Sequence, residues 1–499
     1  MAQYGTIVSI PRKQKVHHLT QAERDLLQCD RPGYGSRSKF EVAFNLVNAT
    51  VGAGIIGLPF AIGHCGFVLG LVTSVFVAIL SQLGLYMVIL AGQRVGIYKF
   101  AVLVEHIMGR FGYHFLNSMI IIQAGGACIS YFILLGDTVP VLLEPYLPQF
   151  EMVSTRTLVV CTIAFLGILP LNMARSIGSL ARWSIVSVML FPVVVLTIVI
   201  RAPSYMPDEP IPVTWTGPDI FGALGVFAFA FTCSQVAFNN YLTLEDQSSR
   251  SWRLTTSIST FLSWMISMVF AILGYFCFGT NVQPNLFTNF PSDDIIINIG
   301  RFILGCTMVL TIPLGFYPTR EAVQKVLGFE TNDKMPSKAQ HYTLTIVLFV
   351  ILLAGGVTIR SLGKVYGLVG GISATTLAFI LPAIAYFYTT KPWFQGASSP
   401  APTWTATITP RPSYSQSLSD DKQPLLWEVA STASSSRTPF VDDEDVSTVD
   451  GGYDETDDED LVSDYVDSPS LFLDIVAVIL FVWGVLVMFL SCYSVLTQD

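Results

Sequence analysis

At 499 residues, 52% of them hydrophobic and only 13% charged, with a mean hydropathy of +0.56, the chain lies outside the range of soluble domains, about one quarter of whose residues are charged. The net charge of −9 is local in origin: residues 401–467 hold 16 acidic side chains against Arg411, Lys422 and Arg437, so the rest of the chain is weakly positive. The acidity therefore says nothing about a cationic substrate, and no nucleic-acid partner is expected.

The first 39 residues are polar and carry Arg12, Lys13, Lys15, Arg24, Arg31, Arg37 and Lys39, which reads as a cytoplasmic tail over 1–39 and not as a cleavable signal peptide. Beyond it, apolar stretches near the ~20 residues that cross a bilayer as helix recur along the chain. Eleven are expected, at 40–62, 67–90, 115–135, 155–171, 183–200, 220–238, 254–278, 295–316, 342–357, 365–386 and 471–495. The fold class is thus all-α and polytopic. Ten helices form a core over 40–390, an acidic loop follows at 391–470, and the eleventh helix closes the chain. With the N-terminus cytoplasmic, 22 of the 27 Lys and Arg fall on the cytoplasmic side, against Arg156, Arg201, Arg360 and Lys364 on the far side. An even number of spans destroys that asymmetry.

In the first span, residues 45–61 read NLVNATVGAGIIGLPFA. Gly52, Gly54, Gly57 and Pro59 crowd the middle of a helix that has to keep its backbone bonded in lipid. Two readings stand. Ala49, Ala53 and Gly57, four apart, make a small-residue packing face. Alternatively the helix breaks over 50–54, where freed amides and the positive end of the next half-helix hold a carboxylate, so that a side chain at Gly54 would fill that site. Residues 52–57 also match the dinucleotide-binding glycine pattern, but without the strand and βαβ unit that give it meaning.

Further along, Gln123, Gly125, Gly126, Ser130 and Tyr131 give the third span a small and polar face, with Tyr131 a candidate gate over a substrate. In the sixth span, Thr232, Cys233, Ser234 and Gln235 interrupt an aromatic run, and such a cluster in lipid has to face partners or a cavity. Spans one and six are five apart, as an inverted repeat of five plus five requires. The eighth span holds Arg301, either functional or reaching for the interface near Asp293 and Asp294, with Thr307 and Thr311 as hydroxyls for an ion or for their own helix. Asp137 and His64 are the groups available to a coupled proton.

The loop at 401–467 is too polar to fold alone and reads as a disordered linker. Within it, Asp421-Lys422-Gln423-Pro424-Leu425-Leu426 has the form of a sorting signal for an adaptor, and Ser417, Ser447 and Thr456 precede acidic residues in the manner of kinase sites.

The first-span string, the Arg301-Phe302, Thr311-Ile312-Pro313-Leu314 and Arg320-Glu321 motifs of the eighth, and the turn from Pro170-Leu171 to Arg175 resemble the amino acid/auxin permease superfamily. Fungal vacuolar amino-acid transporters and sodium-coupled neutral amino-acid transporters are the nearest in pattern. The resemblance implies a leucine-transporter-like inverted repeat of five plus five helices with one extra, and unwound segments in spans one and six. It places substrate contacts at Ala49, Thr50, Gly52 and Gly54, faced by Thr232, Cys233 and Ser234. Asn48 matches an asparagine that binds sodium in sodium-coupled relatives, and Thr311 the corresponding hydroxyl of the eighth span. Vacuolar relatives use protons, so the coupling ion is one or the other, with no further cofactor. The sixth-span string lacks a histidine that many relatives carry there, and no role of that histidine transfers.

A secondary transporter of amino acids is therefore expected, working by symport or antiport in a membrane, more in keeping with a vacuolar or lysosomal membrane than with the cell surface. The alternative is an amino-acid-sensing receptor with a transporter fold and little flux. No paired acid and base or metal-ligand cluster lies at membrane depth, so an enzyme is not expected.

Overall fold

The apolar stretches become helices because a backbone in lipid has to satisfy its N–H and C=O groups within its own segment. The computed structural model describes residues 32–52, 54–143, 152–173, 178–329, 336–391 and 470–497. Among them nine helices are long and apolar enough to cross a membrane and one bent pair makes a tenth, while the fifth helix in the order has a shorter apolar part, Met189–Tyr205. α1 is a bent pair, Lys39–Thr50 and Gly54–Cys65, at 62°. There follow α2 (Phe67–Val95), α3 (Phe100–Leu143), α4 (Thr155–Asn172), α5 (Gly178–Tyr205), α6 (Ile220–Thr243), α7 (Ser249–Asn281), α8 (Ile295–Val326), α9 (Lys338–Thr358), α10 (Leu362–Thr390) and α11 (Leu471–Thr497). No strand occurs among the described residues beyond a single bridge between Arg37 and Leu244. The expected tail over 1–31, Arg175 and the loop over 392–469, with its sorting and kinase motifs, lie outside the described residues.

Polar residues at the edges of the apolar runs start the helices. Ser38 and Glu41 form a capping box on α1, as Ser337 and Gln340 do on α9. Asp219, Ser248, Asp294 and Ser361 cap α6, α7, α8 and α10 with side-chain oxygens. α3 departs from expectation. Its helix starts at Phe100, well before the apolar run, and turns at Gly109, whose φ of 66° suits a residue without a Cβ. Glu105, His106 and Arg110 hide this first segment from a hydropathy reading.

Two sets of helices organise the core. α1, α2, α6 and α7 pack on one another, whereas α3 and α5 pack on α8, with α9 against α3. α10 bridges the sets, touching α2, α3 and α6. Its middle is widened into π-helical turns at Gly370–Ala374 and Thr376–Ile380, ahead of Pro382, which has no N–H to continue the ladder. α11 is built into the core: Ser491 donates to the Gly367 carbonyl at 2.9 Å and Ser494 to Asp219 at 2.7 Å. A Cβ on Gly225 would stand 2.2 Å from the Ser491 hydroxyl, so α6 approaches α11 only as glycine.

The two ends of the bundle are laced differently. On the far side, the segment after α5 lies over the junction of α1 and α2: the amides of Val68 and Leu69 donate to Thr214 and Trp215, and those of Gly217 and Asp219 to Cys65 and His64. On the N-terminal side, Ser36 and Arg37 donate to the Thr243 carbonyl, Glu245 donates back to Arg37, and Lys39 pairs with Asp246 at 3.3 Å. That strap ties the start of α1 to the end of α6.

Candidate functional site

α1 stops being helical at Val51 (φ −80°, ψ 62°), and Gly52 donates back to the Thr50 carbonyl at 2.9 Å, a tight turn before the helix resumes at Gly54. The Ile55 amide of that second half-helix donates to the Gly52 carbonyl at 3.4 Å, and the positive dipole end of the half-helix opens on the break. The Thr50 hydroxyl donates to the Leu46 carbonyl at 2.8 Å, which leaves its lone pairs free to accept. Gly54 is buried, and a Cβ on it would lie 2.6 Å from the Cα of Ala230. This glycine lets α1 meet the backbone of α6, which corrects the expectation that a side chain there would merely fill a carboxylate site.

α6 breaks at the same place in its own course. Thr232 is extended, Cys233 is irregular, Ser234–Val236 make a 3-10 turn, and Ala237–Thr243 complete the span. The Phe231 carbonyl freed by the break is taken by the Ser81 hydroxyl of α2 at 2.6 Å, and Thr232 donates to Ala228 at 2.6 Å. The Ser234 hydroxyl and the Gln235 side-chain oxygen are buried without a protein partner. Cys233 and Thr50 line the same void, so the two breaks face each other.

Of the remaining expected residues, Tyr131 reaches the site: its hydroxyl stands 3.5 Å from where a Cβ on Gly52 would be. Asn48 and Ala49 are exposed on the first half of α1, which packs against α7 and the end of α6. Thr311 donates to Thr307 and Thr307 to Ile303, both within α8. No hydrogen bond joins Asn48 to Thr311 among the described residues.

Between the breaks and the neighbouring helices is a small void, with room for about one water, lined by Thr50, Ala78, Ser81, Leu85, Phe231, Cys233, Ser259, Thr260 and Ser263. Its polar wall is hydroxyl and thiol, with no charged group.

The family model described as transmembrane amino acid transporter protein matches residues 35–408, three quarters of the chain and both breaks. The chain belongs to that family, the amino acid/auxin permeases. It is 31% identical over 372 residues to a Rattus norvegicus protein named "Putative sodium-coupled neutral amino acid transporter 11", covering 73% of this chain and 81% of that one. It is 28% identical to vacuolar amino acid transporter 2 of Saccharomyces cerevisiae, covering 69% and 75%, and 28% identical to vacuolar amino acid transporter 5 of Schizosaccharomyces pombe, covering 73% and 88%.

In this permease the charged residues of the spans build structure away from the breaks. Arg301, 2% exposed, donates to the carbonyls of Pro291, Phe287 and Phe290 and to the Asn298 side chain, at 2.6 to 3.0 Å. Neither Asp293 nor Asp294 bonds it directly. Asp294 instead caps α8 and pairs with Arg201 at 2.6 Å. Burial works against the charge on Asp294, but hydrogen bonds from Tyr205, the Ile297 amide and Arg201 outweigh it and hold its carboxyl below the usual carboxylate range. On the opposite side, partial burial of Asp246 is likewise outweighed, by Ser248 and Lys39, and its carboxyl is also lowered. Asp137 pairs with Arg156 at 3.3 Å, while the His64 ring lies tilted against that of Phe60 and 3.1 Å from the Phe60 carbonyl.

Two features escaped the sequence reading. Arg320 is buried in α8, donating to the Asn172 carbonyl and the Thr345 hydroxyl, which ties α8 to α4 and α9. Ser81, Ser259 and Ser263 look like ordinary small residues of α2 and α7, and only the placement of the breaks marks them as lining.

Proposed function

We propose that the protein is a secondary active transporter that carries amino acids across its membrane by alternating access. The observation that carries this reading is the meeting of two interrupted helices, α1 at Val51–Gly52 and α6 at Thr232–Ser234, with Gly54 against Ala230 and with Thr50 and Cys233 lining one small polar void. The amides at the start of the second half of α1 receive the substrate carboxylate, aided by the dipole of that half-helix, and the irregular backbone of α6 offers carbonyls to the amine. Thr50, Gly52, Gly54, Thr232, Cys233 and Ser234 surround the substrate, Ala49 borders its path, and Tyr131 closes over it from α3. Gly54 acts here through its amide, since its Cα face is given to Ala230.

Movement follows from the two helix sets. α1, α2, α6 and α7 rock as one body against α3, α5 and α8, and the site opens to each side in turn. The exposure of Asn48 and Ala49 together with the cover over the α1–α2 junction supports a state open towards the N-terminal strap and closed on the far side. The coupling ion is a proton or sodium, with Asn48 and Thr311 the ion ligands in the second case. The names of the yeast relatives support a vacuolar membrane, the Lys and Arg asymmetry a cytoplasmic N-terminus, and Asp421 to Leu426 a sorting adaptor as partner.

The test is uptake by the purified full-length protein in liposomes, across all twenty amino acids, with pH and sodium gradients imposed separately. Uptake driven by one gradient is expected. If none is moved under either gradient while amino acids still bind, the transport reading fails and a sensing receptor takes its place. Asn48→Ala measured with and without sodium then assigns the ion: loss of sodium stimulation identifies Asn48 as a ligand, and unchanged stimulation removes it.

A further inference from the structure

We infer that Asp137 is the group that takes up the proton coupled to transport, and that its loose pairing with Arg156 is what drives that proton off again. The inference rests on the transporter reading and selects, within it, the coupling ion and the residue that carries it.

A carboxylate within a span is costly and is kept where it has a task or a full set of partners. The carboxylates towards the far-side ends of the spans differ in how they are held. Asp294 is saturated: Arg201 reaches it through two nitrogens at 2.6 and 2.7 Å, Tyr205 donates at 2.7 Å, and the Ile296 and Ile297 amides donate at 3.0 and 3.1 Å. Asp219 accepts from the Gly222 amide and from Ser494. Asp137 makes a single hydrogen bond among the described residues, from one nitrogen of Arg156 at 3.3 Å. A committed arginine–carboxylate pair is shorter and commonly bidentate. The Arg156 Nε is instead buried with no partner, lying over Gly136, where a Cβ would stand 2.7 Å from it. Asn285, 2% exposed, sits in the segment before α8 that packs on α3, and its amide nitrogen is buried beside Asp137 without a partner. Unpartnered buried donors around a half-held carboxylate call for an explanation.

A change of charge at Asp137 supplies one. A hydronium arriving from the far side gives its proton to an Asp137 oxygen and leaves as water; the attraction that held Arg156 is lost, and the other carboxyl oxygen accepts from the Asn285 amide. The return of Arg156 favours the carboxylate again, and the proton passes back to water. Position links this step to the breaks. Asp137 lies six residues beyond Tyr131 on α3, about 9 Å along the helix. Tyr366 of α10 is within electrostatic reach of both residues, stacks on Phe229 of α6 at 5.0 Å, and lies where a Cβ on Gly57 of α1 would stand 2.8 Å from its ring. Among the described residues, the charged and titratable groups facing Asp137 are Arg156 from α4 and Tyr366 from α10; α8 and α9, which also pack on α3, bring none. His64, the other group available to a proton, bonds back to its own helix at Phe60.

The experiment compares full-length wild-type protein with Asp137→Asn and Arg156→Gln. The probe is whichever of the twenty amino acids the wild type binds most tightly. A pH-sensitive dye reads protons taken up on binding in weakly buffered detergent solution, and protons carried inward during uptake into liposomes. Wild-type protein is expected to take up a proton as the amino acid binds and to bind it more tightly in acid. Asp137→Asn should take up none, and should bind at every pH as the wild type does in acid. Arg156→Gln removes the opposing charge, so its binding profile should shift to higher pH while proton uptake persists. That opposite shift keeps the test alive if Asp137→Asn fails to fold, and a merely structural pair would lower Tm in both variants without moving either profile. Proton uptake that persists in folded Asp137→Asn overturns the inference, as does an unmoved profile in folded Arg156→Gln. Wild-type flux driven by sodium alone with no proton movement also overturns it, while transport stands. Proton uptake on binding that is lost in Asp137→Asn, with no flux in liposomes, upholds Asp137 as the proton site and sinks transport.

Discussion

At the scale of single residues, the glycines of α1 divide by what a Cβ would meet. On Gly54 it would lie 2.6 Å from the Ala230 Cα, a backbone atom of another span that cannot step aside. Gly54→Leu is therefore expected to lower Tm and yield, at a cost of about 1–3 kcal/mol or more for overpacking. On Gly52 the nearest atom is the Tyr131 hydroxyl at 3.5 Å, an ordinary contact. Gly52→Ala should fold with near wild-type Tm and raise KM for the substrate, because the added methyl stands between the first break and Tyr131. Melting curves of the two variants beside their uptake kinetics separate these outcomes. A Gly54→Leu protein as stable as wild type would show that α1 does not meet α6 as described.

The element scale explains why much was legible and some was not. Spans could be read because a bilayer imposes a length and an apolar composition on each helix, and caps such as Ser38 and Asp294 mark where the runs end. The breaks were legible as helix-breaking residues in α1 and as a polar cluster in α6, since both are costly in a continuous helix. What α1 could not reveal is which glycine serves packing, because the answer lies in Ala230, some 180 residues away in sequence. The roles of Arg301 and Arg320 were hidden for a similar reason: their partners are carbonyls, and any residue has one.

Arg301 gathers three carbonyls of the segment before α8. Arg301→Met would leave them unpaired at about 1–3 kcal/mol each where water does not reach. Tm is expected to fall sharply, with little change in KM if the protein is assayed below that Tm. The neighbouring Asp294 sets a pH dependence. Its carboxyl titrates lower in the folded protein than in the unfolded chain, so its contribution is present above the unfolded value of about 3.9 and is lost as pH falls through the lower folded value. The Asp294 contribution should thus hold from neutral pH down to mildly acidic pH. Tm measured from pH 7 to pH 3 should fall at the acid end in wild type, and Asp294→Asn should flatten that limb.

For the whole molecule, the issue is whether the acidic loop belongs to the moving machine. The loop leaves from the end of α10 and returns at the start of α11, and those two ends are fastened to each other: Lys391 pairs with Asp474 at 2.5 Å, and Tyr386 donates to Asp474 at 3.1 Å. Arg94 of α2 donates to Thr390 and lies over the Tyr386 ring, which anchors the junction to the core. Since α10 and α11 are held together by these contacts and by Ser491, a deletion of 401–467 leaves both ends with their partners. Uptake by the deletion protein should match wild type in KM and rate per folded molecule. A receptor that signals through this segment would instead keep amino-acid binding and lose its output. Breaking the junction is the complementary experiment: Asp474→Ala removes the partner of both Lys391 and Tyr386 and should lower Tm by more than the deletion does. If the deletion abolished uptake while Asp474→Ala left Tm and uptake unchanged, the fastening at the junction would carry no weight and the loop itself would have to be counted part of the transport cycle.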